Sequence, residues 1–120
     1  MRPNPVREKS FKLAVRIVKL YKFLLKESNE EIMSKQLMRS GTSVGAMVRE
    51  AEHAESKKDF IHKMSIAQKE SNETLYWLEL LKETDYLTDQ QFESLYKDAD
   101  EVMSIITSII KTTKKNMNKG

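Results

Sequence analysis

Residues 37–81 read LMRSGTSVGAMVREAEHAESKKDFIHKMSIAQKESNETLYWLELL, and the fold is decided here. Apolar or small side chains recur every three or four positions: Leu37, Ser40/Gly41, Val44, Met47/Val48 and Ala51, then Phe60, Met64, Ala67, Ser71, Leu75, Leu78 and Leu81. That period marks helices that bury one face. Between the two stripes, Ser56-Lys57-Lys58-Asp59 resembles a capping box with Asp in place of Glu, so a helix is expected to open there. Neither Gly nor Pro marks the turn near His53–Ser56, which leaves one continuous helix as an open alternative. Gly41 and Gly45 stand inside a good helical pattern. Each costs about 1 kcal/mol relative to Ala, so both are expected where helix backbones pack closely.

Working outward, Ser28-Asn29-Glu30-Glu31 is a capping box that starts helix two. Before it, Ser10 to Glu27 carries two apolar stripes. Phe11, Ala14, Val15, Val18, Tyr21 and Leu25 form one; Leu13, Ile17, Leu20 and Leu24 form the other, rotated by roughly 120° at 100° per residue. One stripe suffices to pack a helix into a monomeric bundle, so Leu13, Ile17, Leu20 and Leu24 are assigned to a contact with another subunit; a more deeply buried helix is the plainer alternative. On the far side, Thr88-Asp89-Gln90-Gln91 caps a last helix, in which Phe92, Leu95, Ala99, Val102, Ile106 and Ile109 form a seam. Helices are thus expected over about 10–27, 30–54, 57–84 and 89–113, with a flexible basic tail at 114–120. No strand alternation or repeat is present. The prediction is all-α: a single domain over 1–120, an antiparallel up-down-up-down four-helix bundle assembled into a ring-like homo-oligomer.

Composition agrees. A chain of 120 residues fits one domain and can bury one adequate core. It has only three Gly and two Pro, with both prolines before Val6, so little interrupts helices. With no cysteine there is no disulfide framework, thiolate zinc site or Cys nucleophile. No apolar run approaches the roughly 18 residues needed to span a bilayer, and MRPNPVREKS lacks the apolar core of a signal peptide. A cytoplasmic protein without membrane contact is the expectation.

The net charge of +3 hides segregation: residues 1–28 carry +6, residues 29–110 carry −7, and the tail from Lys111 carries +4. An up-down bundle brings the start of helix one, the helix two–three turn and the end of helix four to one end. Arg2, Arg7, Lys9, Lys12, Lys57, Lys58, Lys111, Lys114, Lys115 and Lys119 then gather there, and Glu27, Glu30, Glu31, Glu83, Asp85, Asp89 and Glu93 at the other. Lys9, Lys12, Arg16 and Lys19 also run up one face of helix one. Concentrated cations suit a phosphate backbone, RNA or DNA, without base readout. Lys9, Lys12, Arg16, Lys19, Lys57, Lys58, Lys114 and Lys115 are the candidate contacts; a solvated, solubilising face is the plainer alternative.

Catalytic signals are sparse. Glu50-x-x-His53 has the spacing that di-iron bundles use, and Asp59-x-x-His62 lies just across the turn. Helix four has no acid after Glu101, so half of such a site is missing, and these histidines read as exposed turn residues. No serine has a His and an acid alongside, and no Gly-rich phosphate loop follows a strand. No catalytic residue, metal or cofactor is therefore assigned. Glu70, Glu73 and Trp77 share a face of helix three, and Arg39 and Arg49 lie on helix two, the makings of an interhelical Arg–Glu network.

These motifs are specific in combination: Gln36-Leu37-x-Arg39-Ser40, Ser43-Val44-Gly45-Ala46, Ser56-Lys57-Lys58-Asp59-Phe60 and Lys69-Glu70-x-x-Glu73-Thr74-x-x-Trp77-Leu78. They resemble the bacterial four-helix-bundle family of proteins encoded in intervening sequences of 23S ribosomal RNA genes. That family also contains the accessory variability proteins of diversity-generating retroelements. The resemblance runs from about Phe11 to Ile110. Met47 stands where relatives usually have Asn, and His53 where a Gly often ends helix two. The resemblance implies an up-down bundle, a ring-like homopentamer and no enzymatic activity. For the retroelement branch it implies binding of nucleic acid and of a reverse transcriptase through basic surfaces. A protein-interaction scaffold without a nucleic-acid role is the alternative.

Overall fold

Asn4 opens the first helix. Its side chain accepts a hydrogen bond from the Arg7 N–H at 3.2 Å, and Pro5 takes the first helical position, where a missing N–H costs nothing. The structure, a computed structural model, describes residues 4–119, apart from the side chain of Lys119. Four helices follow in order: α1 (Pro5–Ser28), α2 (Ile32–Ala51), α3 (Lys57–Glu83) and α4 (Asp89–Lys119). Helix one therefore starts five residues before Ser10, because the Asn-Pro pair is itself a start signal.

The α1–α2 turn differs from the expected Ser28 box. Ser28 remains inside α1, and Asn29 adopts the left-handed conformation (φ 52°) that ends it. Glu30 then caps α2, its carboxylate accepting from the N–H groups of Met33 and Ser34, both at 2.8 Å. The chain does break between α2 and α3: Ser56 Oγ accepts from Asp59 N–H at 3.0 Å, and the Asp59 carboxylate reaches back to Glu55 N–H at 3.1 Å. Asp85 turns the chain in the left-handed region (φ 68°) before α4. Thr88 and Gln91 close a reciprocal capping box at 2.9 and 3.1 Å. The last helix continues through Lys119, six residues beyond the expected end at 113.

The helices pack around one core built from Leu13, Ile17, Leu24, Leu37, Val44, Met64, Leu78, Leu81, Val102 and Ile106, all essentially without solvent contact. Contact pairs fix the register. Gly41 and Gly45 of α2 lie on Ile17 and Ser10 of α1. Ser40 and Thr74 hydroxyls hydrogen-bond between α2 and α3 at 3.1 Å. Gln68 donates to Thr107 between α3 and α4 at 3.0 Å, and Lys9 pairs with Glu101 between α1 and α4 at 2.7 Å. The described residues fill a rod of 53 × 26 × 21 Å.

One expectation is corrected here. Leu13, Ile17, Leu20 and Leu24, assigned to a subunit contact, face the bundle interior and are at most 8% exposed. The stripe expected inside leaves Phe11 54% and Val15 37% exposed instead. The reason is the close approach of α2. A Cβ on Gly41 would fall on the Ile17 Cδ1, so the Leu13/Ile17 side of α1 must lie against α2. The bulkier Phe11 side is turned out.

Candidate nucleic-acid interface

The eight candidate cations divide into two groups. On α1, Lys9 and Arg16 are engaged within the chain. Lys9 Nζ lies 2.7 Å from Glu101; Arg16 donates to Asp98 at 2.5 Å, to Ser94 Oγ at 2.8 Å and to the Ser94 carbonyl at 3.3 Å. Lys12 lines the same α1–α4 crevice with Lys9, Leu13, Asp98 and Glu101. Lys19 is exposed one turn further on. The basic stripe of α1 is thus flanked by two carboxylates that its sequence neighbourhood does not contain.

The second group sits at the end where α3 begins and α4 finishes. The Gln68–Thr107 hydrogen bond sets the register that carries Lys57 and Lys58 of α3 and Lys111, Lys114 and Lys115 of α4 toward that end. The start of α1 joins them there, because Arg7 and Asn4 both reach Glu52 in the α2–α3 turn, at 3.4 and 3.3 Å. Among the described residues, Lys12, Lys19, Lys57, Lys58, Lys111, Lys114 and Lys115 make no ion pair. Arg2 and the side chain of Lys119 lie outside the described residues.

Four acids temper this end: Glu50, Glu52, Glu55 and Asp59 occupy or flank the same turn. Two are already committed. Glu52 holds Arg7, and Asp59 accepts from Glu55 N–H and from Lys63 at 3.3 Å. The hydrogen bond from Glu55, then the Lys63 contact, hold the Asp59 carboxyl below its ordinary range despite some desolvation. His53 and His62 are exposed, and among the described residues no group of three or more His, Asp or Glu is placed to hold a metal ion. The turn at His53 needs no left-handed residue, since the positive-φ positions are Asn29 and Asp85. Met47 is half-buried and packs on the core edge.

Two further features surround the site. Arg39 of α2 spans to Glu70 at 3.1 Å and to Glu73, the interhelical network expected from the sequence. Arg49 departs from that network: its guanidinium lies over the Phe11 ring at 5.3 Å, covering α1 instead of α3. Phe11, Ala14, Val15 and Val18 line an exposed apolar strip beside Lys19 and Lys22. Sequence periodicity held both α1 stripes but no signal of which would remain outside. No helix among the described residues is long and apolar enough to cross a membrane.

Comparison with known proteins places this geometry. A crystal structure of a protein of unknown function from the S23 ribosomal protein family of Bacteroides thetaiotaomicron VPI-5482 is 57% identical, with a TM-score of 0.87 over 88% of this chain and 98% of that one. No curated protein matches the chain. The model of the 23S rRNA-intervening sequence protein family matches residues 2–108, and with that span nearly covering the four helices, the chain belongs to this family.

Proposed function

We propose that the protein is a non-catalytic, self-associating helical bundle that binds the phosphate backbone of nucleic acid. The ligand is RNA or DNA, free or in a nucleoprotein partner such as one built on a reverse transcriptase. A cytoplasmic setting goes with such a ligand. The observation that carries the reading is the set of exposed lysines, Lys57, Lys58, Lys114 and Lys115, which make no ion pair among the described residues, at one end of the rod. Unpaired lysines are free to displace counterions from phosphates, whereas lysines already held by carboxylates must first give those up. The contact pairs between successive helices support reading the bundle as antiparallel, up-down-up-down.

Self-association is drawn to the outer strip of α1, Phe11, Val15 and Val18, because exposed apolar side chains in a contiguous strip mark interaction surfaces. A closed ring, a homopentamer among the relatives that the motifs resemble, is the assembly proposed.

The test is titration of a fluorescein-labelled RNA hairpin and a DNA duplex at several salt concentrations, with the oligomer mass measured in the same buffers. Binding whose logarithm falls linearly with log[salt], and which is lost when Lys57, Lys58, Lys114 and Lys115 become Glu, supports the reading. A well-formed oligomer that binds neither probe at low salt overturns it. The apolar strip would then favour the second reading, a protein-interaction scaffold.

A further inference from the structure

The α1–α4 crevice carries an arrangement that a simple basic patch does not explain. Lys9, Lys12 and Arg16 present three cations along one side of α1. Asp98 and Glu101 rise from α4 into the same crevice and hold two of them, at 2.5 and 2.7 Å. All four paired side chains remain between 38% and 51% exposed, so these are solvated ion pairs that a competing anion can reach. Such pairs are weak and screened by salt. The carboxylates therefore contribute little to holding the fold while occupying the groups a phosphate would use. Lys12 lines the same crevice as the two carboxylates and makes no ion pair among the described residues.

We propose that Asp98 and Glu101 act as built-in competitors for phosphate, holding the α1 face closed to polyanions and confining binding to the lysines of the bundle end. The inference rests on the nucleic-acid reading above and names the regulation of that surface. A nucleic acid engages Lys9, Lys12 and Arg16 only by displacing the two carboxylates. Neutralising them converts α1 into a continuous extension of the bundle-end site. The ligand class is a phosphodiester polyanion, and the determinant is the pair of α4 acids.

The experiment compares wild type, D98N/E101Q and the charge-matched control E27Q/E31Q, whose exposed acids lie at the opposite end. The probe is the same fluorescein-labelled RNA hairpin, titrated across a salt series, with the circular-dichroism melt of each variant recorded. D98N/E101Q is expected to bind about tenfold more tightly at low salt. Its log–log salt slope should be steeper by about two to three, for three further phosphate contacts at Lys9, Lys12 and Arg16. The control should gain no more than about threefold, from net charge alone. Adding Lys12→Glu should weaken D98N/E101Q severalfold and leave wild type nearly unchanged. If the double variant melts early, D98N alone should show about half the slope change.

Equal gains in D98N/E101Q and the control overturn the proposal while leaving the bundle-end reading intact, provided wild type still binds through Lys57, Lys58, Lys114 and Lys115. Binding by D98N/E101Q where wild type binds nothing would overturn the proposal as well, because no bundle-end site would remain for the two acids to confine binding to. Absence of binding by every variant overturns both readings together.

Discussion

Arg39 on α2 and Glu73 on α3 are joined across their seam, and the same Glu73 carboxylate oxygen accepts a hydrogen bond from Trp77 Nε1 at 2.9 Å. Glu73 thus ties a half-buried indole of its own helix to a guanidinium on the neighbouring one, and a one-residue slip of α2 against α3 would break the Arg39 contact while leaving the Trp77 bond in place. The Trp77 hydrogen bond, with Arg39 behind it, holds the Glu73 carboxyl below its ordinary range against the desolvation that pushes it up. Arg39 is correspondingly held more firmly in its charged form, chiefly by the hydrogen bond to Glu73.

A pH dependence follows from that lowered carboxyl. A group whose folded pKa is depressed stabilises the fold above the ordinary carboxylate pKa, and the gain is lost as pH falls through the folded value. Glu73→Gln should therefore lose stability at neutral pH and show a shallower fall in melting temperature below about pH 4.5, the ordinary value. Both partners are over a third exposed, so solvent screening limits the neutral-pH loss to about 1 kcal/mol. Parallel melting curves for the two proteins from pH 7 to pH 3 would sink this account.

The two glycines of α2 are predicted to respond oppositely to the same substitution. In Gly41→Ala the new Cβ meets Ile17 Cδ1 and lies 3.2 Å from its Cγ2, in a fully buried side chain with nowhere to go. Overpacking of this kind costs about 1–3 kcal/mol, against about 1 kcal/mol regained from helix propensity. Ile17→Val, which removes the Cδ1, should relieve the Gly41→Ala variant. At Gly45 the nearest atom is the Ser10 carbonyl oxygen at 3.5 Å, an ordinary contact. Gly45→Ala should then raise stability by up to about 1 kcal/mol, read by urea denaturation.

Much of this architecture was legible because its signals are local. Ser56 with Asp59, and Thr88 with Gln91, are caps three residues apart, and a helix start can be read from such a pair. The α1–α2 turn was misread for a related reason: Ser28 and Glu31 have the right spacing, but left-handed Asn29 and the Glu30 carboxylate do the work. Two equally apolar stripes on α1 differ only in what lies opposite, and that partner, Gly41, is 24 residues beyond Ile17. The candidate site was legible as a list of cations and not as a surface. Glu101 lies 92 residues from Lys9, and Asp98 82 from Arg16, so no local pattern marks which cations are already held.

Ser71 is buried in α3 with its Oγ lacking a hydrogen-bond partner among the described residues. Burying an unpaired hydroxyl costs about 1–3 kcal/mol. Ser71→Ala removes the polar atom while keeping the small volume that the close helix packing demands, and it also favours the helix. It should be neutral to stabilising by about 1 kcal/mol. By contrast, Thr74→Val breaks the link to Ser40 and should destabilise. A drop in melting temperature for Ser71→Ala would mean that the hydroxyl has a partner in solution.

The inverted assignment of the two α1 stripes makes the last prediction the sharpest. Leu13 and Ile17 are 1% and 0% exposed, so truncating either to Ala opens a core cavity. Each change should cost about 2–5 kcal/mol, whatever the state of assembly. Phe11 and Val15 touch solvent, and Phe11 is covered only in part by the Arg49 guanidinium. Phe11→Ser with Val15→Ser should therefore leave the secondary structure of the subunit intact. If the outer strip joins subunits, the same pair should shift the mass in solution toward the monomer, and the melting temperature should lose its dependence on protein concentration. Multi-angle light scattering beside a melt at two concentrations reads both effects. An oligomer that survives Phe11→Ser and Val15→Ser unchanged would move the subunit contact off this strip, to another helix or to Phe23 and Leu25, which are also exposed further along α1.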